Sequence, residues 1–298
     1  MIKEDEILRA LEFYGVIDED YKNRCLDVVR KINKDRVLCE RIEKLLLTLY
    51  DRKNTSIIKL WKIKDVTELF GKCDPFITSI MILMGYKVHI RNMNKYKLDE
   101  NQIIIHKRRV KETLLNDILI RGYKSVRISQ MLWASYFINL RIIEVGVLQY
   151  EVVNNNPLTN KDEICIKMHI PRKTSLDIDK VNESINDSRK ELYKYFGIEN
   201  VNYYMESWML SLDVLKLLNN NSNILVFSKL FDIKEGKDCK NDILNFVFED
   251  CYCTNYENLS EKTYLQRKLK KMLINNMDIR IGIGKLINTL FLKDKNKL

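Results

Sequence analysis

The hydrophobic pattern of this 298-residue chain changes character near Asn139, and that change constrains the fold more than any other feature. Upstream, apolar residues recur at helical spacing. Ile7, Leu8, Leu11 and Tyr14 make one face, closed by Gly15 where a helix C-cap belongs. Val37, Leu38, Ile42, Leu45, Leu46 and Leu49 make a second stripe. Asp74-Pro75 reads as an N-cap with proline at the first helical position, leading through Ile77, Ile80, Met81 and Met84 to Gly85. Further helices are expected over 100–121, ending at Gly122, and through Ile128, Leu132, Tyr136 and Ile138. Such helices gain stability by burying an apolar face, so Leu46, Leu49 and Ile80 are expected in the core.

Downstream, the segments 140–153, 163–170, 201–210, 223–233 and 278–287 are rich in Ile, Val, Tyr and Phe and read as strands. Helical patterns separate them at 177–196, 212–218, 242–248 and 261–275. The expected class is therefore α+β: an all-helical N-terminal domain, 1–135, followed by an α/β domain with a mixed sheet, 136–298. The length agrees with about two domains at ~150 residues each.

Charge narrows the function classes. The net charge is +10, yet the basic residues are spread out, and the densest clusters, Lys107-Arg108-Arg109 and 268–271, are interleaved with apolar helix positions. Solvated basic helix faces explain this pattern, and without a nucleic-acid motif a nucleic-acid partner is not expected. The seven Cys include no CxxC pair, and Cys251-x-Cys253 has none of the three His (His89, His106, His169) near it in sequence, so no metal site is expected. The start, MIKEDEILRA, lacks the apolar run of a signal peptide. The longest apolar stretch, 76–86, is shorter than the ~20 residues that span a bilayer. Reduced thiols and no export signal imply a cytoplasmic protein without membrane contact.

Five segments in register carry a resemblance. Trp133 leads into Leu140-Arg-Ile-Ile-Glu-Val-Gly146-Val-Leu-Gln149-Tyr150-Glu151. His169-Ile170-Pro171 precedes a helix with Leu176, Ser184 and Phe196. Then come Glu206-Ser207-Trp208-Met209-Leu210, Asn221-Ser222-Asn223-Ile224 with Phe227 and Phe231, and finally 263–273 with Ile281-Gly282-Ile-Gly284. The second half resembles the GNAT-like C-terminal domain of a family of bacterial acyltransferase-domain proteins. The first half resembles the helical N-acyltransferase-type domain that accompanies it. Met205 stands where that family often has Cys, and Glu206 where it often has His.

The resemblance implies transfer of an acyl group from acyl-coenzyme A, as co-substrate, to an amine acceptor that it does not specify. The alternative is a catalytically silent GNAT-like module that binds a ligand or a protein. The usual Arg/Gln-x-x-Gly-x-Gly/Ala loop is missing, and Gly282-Ile-Gly284, inside a strand pattern, reads as a bulge or a close approach. Pro171-Arg172-Lys173-Thr174-Ser175 is the substitute: Thr174 or Ser175 as N-cap, Arg172 and Lys173 as cations for a pyrophosphate. An ordinary capped helix start is the other reading of that loop. Glu206 is the candidate base. Strand alternation groups it with Tyr204 and Trp208, and aromatic neighbours would raise its pKa; an exposed edge-strand glutamate is equally consistent. His169 and Tyr204 complete the candidate catalytic set, as a second titratable group and a general acid. A strand-capping histidine and a core tyrosine are their structural alternatives. Ser207 has no Gly-x-Ser-x-Gly setting, so a hydrolase triad is not expected.

Overall fold

A computed structural model describes residues 1–51, 73–159, 161–172, 174–250 and 252–287. The chain divides into two compact units, one of Met1–Glu144 with Lys194–Phe196, the other of Val145–Tyr193 with the chain from Gly197 on.

The first unit is helical: α1 (Glu4–Tyr14), α2 (Glu19–Lys34), α3 (Arg36–Leu49), α4 (Ile77–Met84), α5 (Tyr86–Lys95), α6 (Glu100–Leu115) and α7 (Ile128–Ile138). Gly15 ends α1 in the left-handed region, at φ 68°, as its position requires. α4 is buried on every side, from Ile77 through Leu83, so the longest apolar stretch of the chain is a central core helix. Ile80 and Leu49 lie in that core and Leu46 packs against it half-buried. The helix begins at Ile77, two residues later than Pro75, with the Asp74 carboxylate accepting from Phe76 N–H. α6 stops at Leu115, short of 121, and a π turn over Asn116–Ile120 replaces its last turn.

The second unit holds β1 (Ile142–Val145), β2 (Leu148–Val153), β3 (Cys165–His169), α8 (Ile178–Phe196), β4 (Tyr203–Ser207), α9 (Leu212–Leu215), α10 (Asn223–Ser228), β5 (Phe231–Asp238), α11 (Lys240–Phe246), α12 (Tyr264–Ile274) and β6 (Arg280–Leu286), except that Ile142–Glu144 of β1 and Lys194–Phe196 of α8 count with the first. The sheet has six strands in the order β1-β2-β3-β4-β6-β5. β2–β3, β4–β6 and β5–β6 are antiparallel and β3–β4 is parallel. A parallel neighbour needs a crossover, which α8 provides. α8 is capped by Asp177 and stopped by Gly197 at φ 65°. Two further strand segments differ from expectation. Within 140–153 the chain turns at Gly146, φ 57°, making β1 and β2. Within 223–233 the first six residues form α10, and β5 begins only at Phe231. Trp208, Ile243, Leu269, Leu273 and Ile281 centre a core of this unit. Among the described residues, no helix is long and apolar enough to cross a membrane.

Candidate functional site

The parallel β3–β4 ladder is only two pairs long, Ile166–Tyr203 and Lys167–Tyr204, although each strand has five residues. Beyond it lie His169 on β3 and Glu206 on β4. On the far side of β4, Glu206 pairs with Ile283 of β6. The polar side chains of this stretch come from four strands and one helix.

Glu151 of β2 is buried, and its Oε2 lies 2.9 Å from His169 Nε2. Burial pushes the His169 imidazole below its ordinary pKa, Glu151 acts against that, and the net direction is down. The neutral ring therefore donates Nε2–H to the carboxylate and presents Nδ1 as its accepting nitrogen.

Glu206 accepts from Lys167 Nζ at 2.9 Å, and Lys237 Nζ of β5 lies 3.9 Å from its other oxygen. Burial raises the Glu206 carboxyl, but Lys167, Lys237 and His169 outweigh it, and the group sits below the ordinary glutamate value. The expected upward shift is thus reversed, because the cations arrive from β3 and β5. The expected aromatic face is also altered. β4 ends at Ser207, whose hydroxyl accepts from Met209 N–H, so Trp208 opens a 3₁₀ turn and turns into the core. Tyr204 is buried, with Lys167 Nζ 5.9 Å above its ring.

Asp242, in the first turn of α11, feels the charges of Glu206, Lys167 and Lys237. Its carboxyl is raised, chiefly by burial and further by Glu206, against the pull of Lys237 and Lys167. The sequence carried no signal for Asp242, since an acid in a first turn is ordinary helix chemistry. The two carboxylates are therefore pushed apart: Glu206 stays ionised while Asp242 holds a proton more readily.

Arg172 donates to Glu249 Oε1 at 2.5 Å and to the Asn245 carbonyl at 3.0 Å, beside the Phe246 ring. Neither Thr174 nor Ser175 caps α8. Asp177 does, accepting from the N–H groups of Asp179 and Lys180, because only it stands one residue before the helix. Lys173 lies outside the described residues, as does Cys251. Cys253 donates to the Asn255 carbonyl, and no cluster of metal-ligating side chains occurs among the described residues. Gly282-Ile-Gly284 is a close-packing device: a Cβ on Gly282 would stand 2.0 Å from the Leu210 carbonyl oxygen.

Residues 142–286 match the family model of the GNAT-like C-terminal domain. No match to the chain is found among curated proteins. Among solved structures, an acyltransferase in complex with decanoyl-CoA aligns with a TM-score of 0.73 at 17% identity, covering 95% of this chain and 87% of that one. A mutant acyltransferase in complex with octanoyl-CoA aligns at 0.71 and 14% identity, covering 95% and 88%. An acyltransferase in complex with decanoyl-CoA and teicoplanin aligns at 0.58 and 18% identity, covering 70% and 65%. At these identities the likeness shows a shared fold, which extends through the helical unit. The six-stranded mixed sheet, from Ile142 to Leu286, coincides with the part of the chain that matches the model of the GNAT-like C-terminal domain.

Proposed function

We propose that the protein transfers an acyl group from acyl-coenzyme A to a small-molecule amine. The observation that carries this reading is the Glu151–His169 pair beside Glu206, at the end of the short parallel ladder. Where two parallel strands stop pairing, backbone N–H and C=O groups face a gap instead of each other, and an extended amide chain such as pantetheine can pair with them. The thioester supplies the acyl group, and the protein's part is to hold it, orient the amine and move a proton.

His169 Nδ1 takes the proton from the attacking nitrogen, and Glu151 stabilises the imidazolium that forms. Glu206, ionised between its lysines, attracts the ammonium form of the acceptor. Tyr204 serves as general acid to the leaving sulfur. Arg172, with Lys173, Thr174 and Ser175, binds the pyrophosphate by exchanging the Glu249 carboxylate for a phosphate. The teicoplanin in a neighbour's complex supports an acceptor of small-molecule type. The working organisation is a helical domain, 1–135, and a GNAT-like domain, 136–298, in a cytoplasmic bacterial protein.

A catalytically silent module is favoured by one observation: the α8 N-terminus, the natural anion site after β3, is already satisfied by the Asp177 carboxylate. Calorimetry with decanoyl-CoA, acetyl-CoA and an oligonucleotide, followed by thiol release with a panel of amines, separates the readings. Acyl-CoA binding with amine-dependent thiol release supports the transferase. Binding without release supports the silent module.

A further inference from the structure

Among the described residues, two amines of the chain itself stand beside Glu206, and they differ in freedom. Lys167 Nζ is hydrogen-bonded to Glu206 Oε2 at 2.9 Å, and its side chain is 23% exposed. Lys237 Nζ is 3.9 Å from Glu206 Oε1, beyond hydrogen-bond length, on a side chain that is 79% exposed. A long four-carbon stem held by one loose ion pair leaves and returns readily.

The backbone directs Lys237 to this place. On the edge strand β5, Glu235 pairs with Gly282 and Asp238 with Arg280, so β5 has one residue more than β6 across this interval. That is a bulge, and a bulge re-aims the side chains it carries. The extra residue falls at Gly236–Lys237. A Cβ on Gly236 would stand 2.7 Å from Ile281 Cγ2, so the bulged chain lies close against β6. Without the bulge, Lys237 would share the face of Ile233 and Glu235.

We propose that Lys237 is a self-modification site, its Nζ accepting the acyl group of an acyl-CoA thioester in the absence of an external amine. This rests on the acyltransferase reading. The Lys237 ammonium, exposed to water, first loses a proton to solvent. The neutral nitrogen then attacks the thioester carbonyl. An amide C–N bond forms, the C–S bond breaks, and the sulfur leaves with its electron pair. The sulfur takes up a proton to give free coenzyme A, and one proton is released overall. Acylation removes the Lys237 charge, so Glu206 loses one of its counter-ions.

The test uses the full chain with decanoyl-CoA and no added amine. Peptide mass spectrometry locates the acyl group while free thiol is counted. The expected result is one decanoyl group at Lys237 per thiol released, lost when the protein is unfolded in urea. Lys237→Arg keeps the charge and should abolish the label. Decanoyl groups scattered over surface lysines, or a single label that persists on Lys167 in Lys237→Arg, would overturn the proposal. So would an unmodified Lys237 in a protein that still binds decanoyl-CoA and releases thiol with an added amine, and that result would spare the acyltransferase reading. Failure to bind decanoyl-CoA at all would remove both.

Discussion

Glu151 and His169 occupy diagonal positions on adjacent antiparallel strands: His169 faces Gln149, Glu151 faces Lys167, and the carboxylate reaches back to the imidazole at 2.9 Å. The diagonal places both side chains on one face of the sheet. Removing either partner has separable effects on the proposed transfer. His169→Gln should lower turnover by about 10²–10⁴-fold, the usual contribution of a positioned base. Glu151→Gln should move the acid limb of the pH–rate profile to lower pH, because the carboxylate is what favours the protonated ring against burial. A profile unchanged in position would show that Glu151 only fills space.

Arg172 gives a second test. Its guanidinium is engaged by Glu249 and the Asn245 carbonyl. If it also serves the pyrophosphate, Arg172→Ala should weaken acyl-CoA binding by about 1.5–3 kcal/mol, the scale of charge-assisted hydrogen bonds. Glu249→Gln should then tighten binding, since the competing carboxylate is gone. Calorimetric titration of both variants decides. Equal affinity in both would leave Arg172 as a tie between the 171–175 loop and α11.

The helical half was legible because its signals are local: a stripe of apolar residues, a glycine at the stop, a proline near a start. The strands with strong β-formers were legible for the same reason. Where the fold departs from the local pattern, distant groups decide. Ile224 to Phe227 look like strand, but a short apolar run fits a helix equally well. Packing of the Phe227 ring against Phe231, centroids 5.2 Å apart, accompanies the helical outcome. Trp208 left the strand face because the Ser207 hydroxyl captured the Met209 N–H and turned the chain. Glu206 was visible as a lone carboxylate in an apolar strand. Its cations, Lys167 and Lys237, come from strands 39 and 31 residues away in sequence, so the direction of its pKa was not visible. Glu151 ends the 140–151 segment, but only the strand register brings it to His169.

Gly282 and Gly197 make a matched pair for a stability test. At Gly282 an added Cβ would stand 2.0 Å from the Leu210 carbonyl oxygen, and backbone must move to relieve that contact. At Gly197 nothing lies within 4 Å, and the obstacle is the left-handed φ of 65°. Gly197→Ala should therefore cost about 1 kcal/mol. Gly282→Ala should cost several times more, of order 4 kcal/mol or above, as overpacking against fixed backbone does at its extreme. Urea unfolding of the two variants checks the order. Equal losses would mean that β6 and the Leu210 turn shift apart freely.

The helical unit carries a pH dependence of its own. His89 and His106 are fully buried with ring centroids 5.6 Å apart; His89 Nδ1 shares a hydrogen bond with the Tyr14 hydroxyl, and His106 Nδ1 donates to the Phe137 carbonyl. Burial pushes both imidazoles down, His106 to about 4, with Lys107 and His106 opposing charge on His89 and Glu144 favouring it on His106. A base with a depressed folded pKa binds fewer protons folded than unfolded, so stability is held above the unfolded value of about 6.5 and lost as pH falls below it. For His106 alone the gap down to about 4 corresponds to about 3 kcal/mol. The Asp99 carboxyl, held at about 2 by Lys194 and Tyr195, loses its contribution only below its ordinary value of 3.8, so the two effects separate. Chemical unfolding at pH 7 and at pH 4.5 should show a marked loss in the native protein and a smaller one in His106→Gln, whatever that variant costs at pH 7. The same loss in both would mean that His106 is not the group taking up the proton.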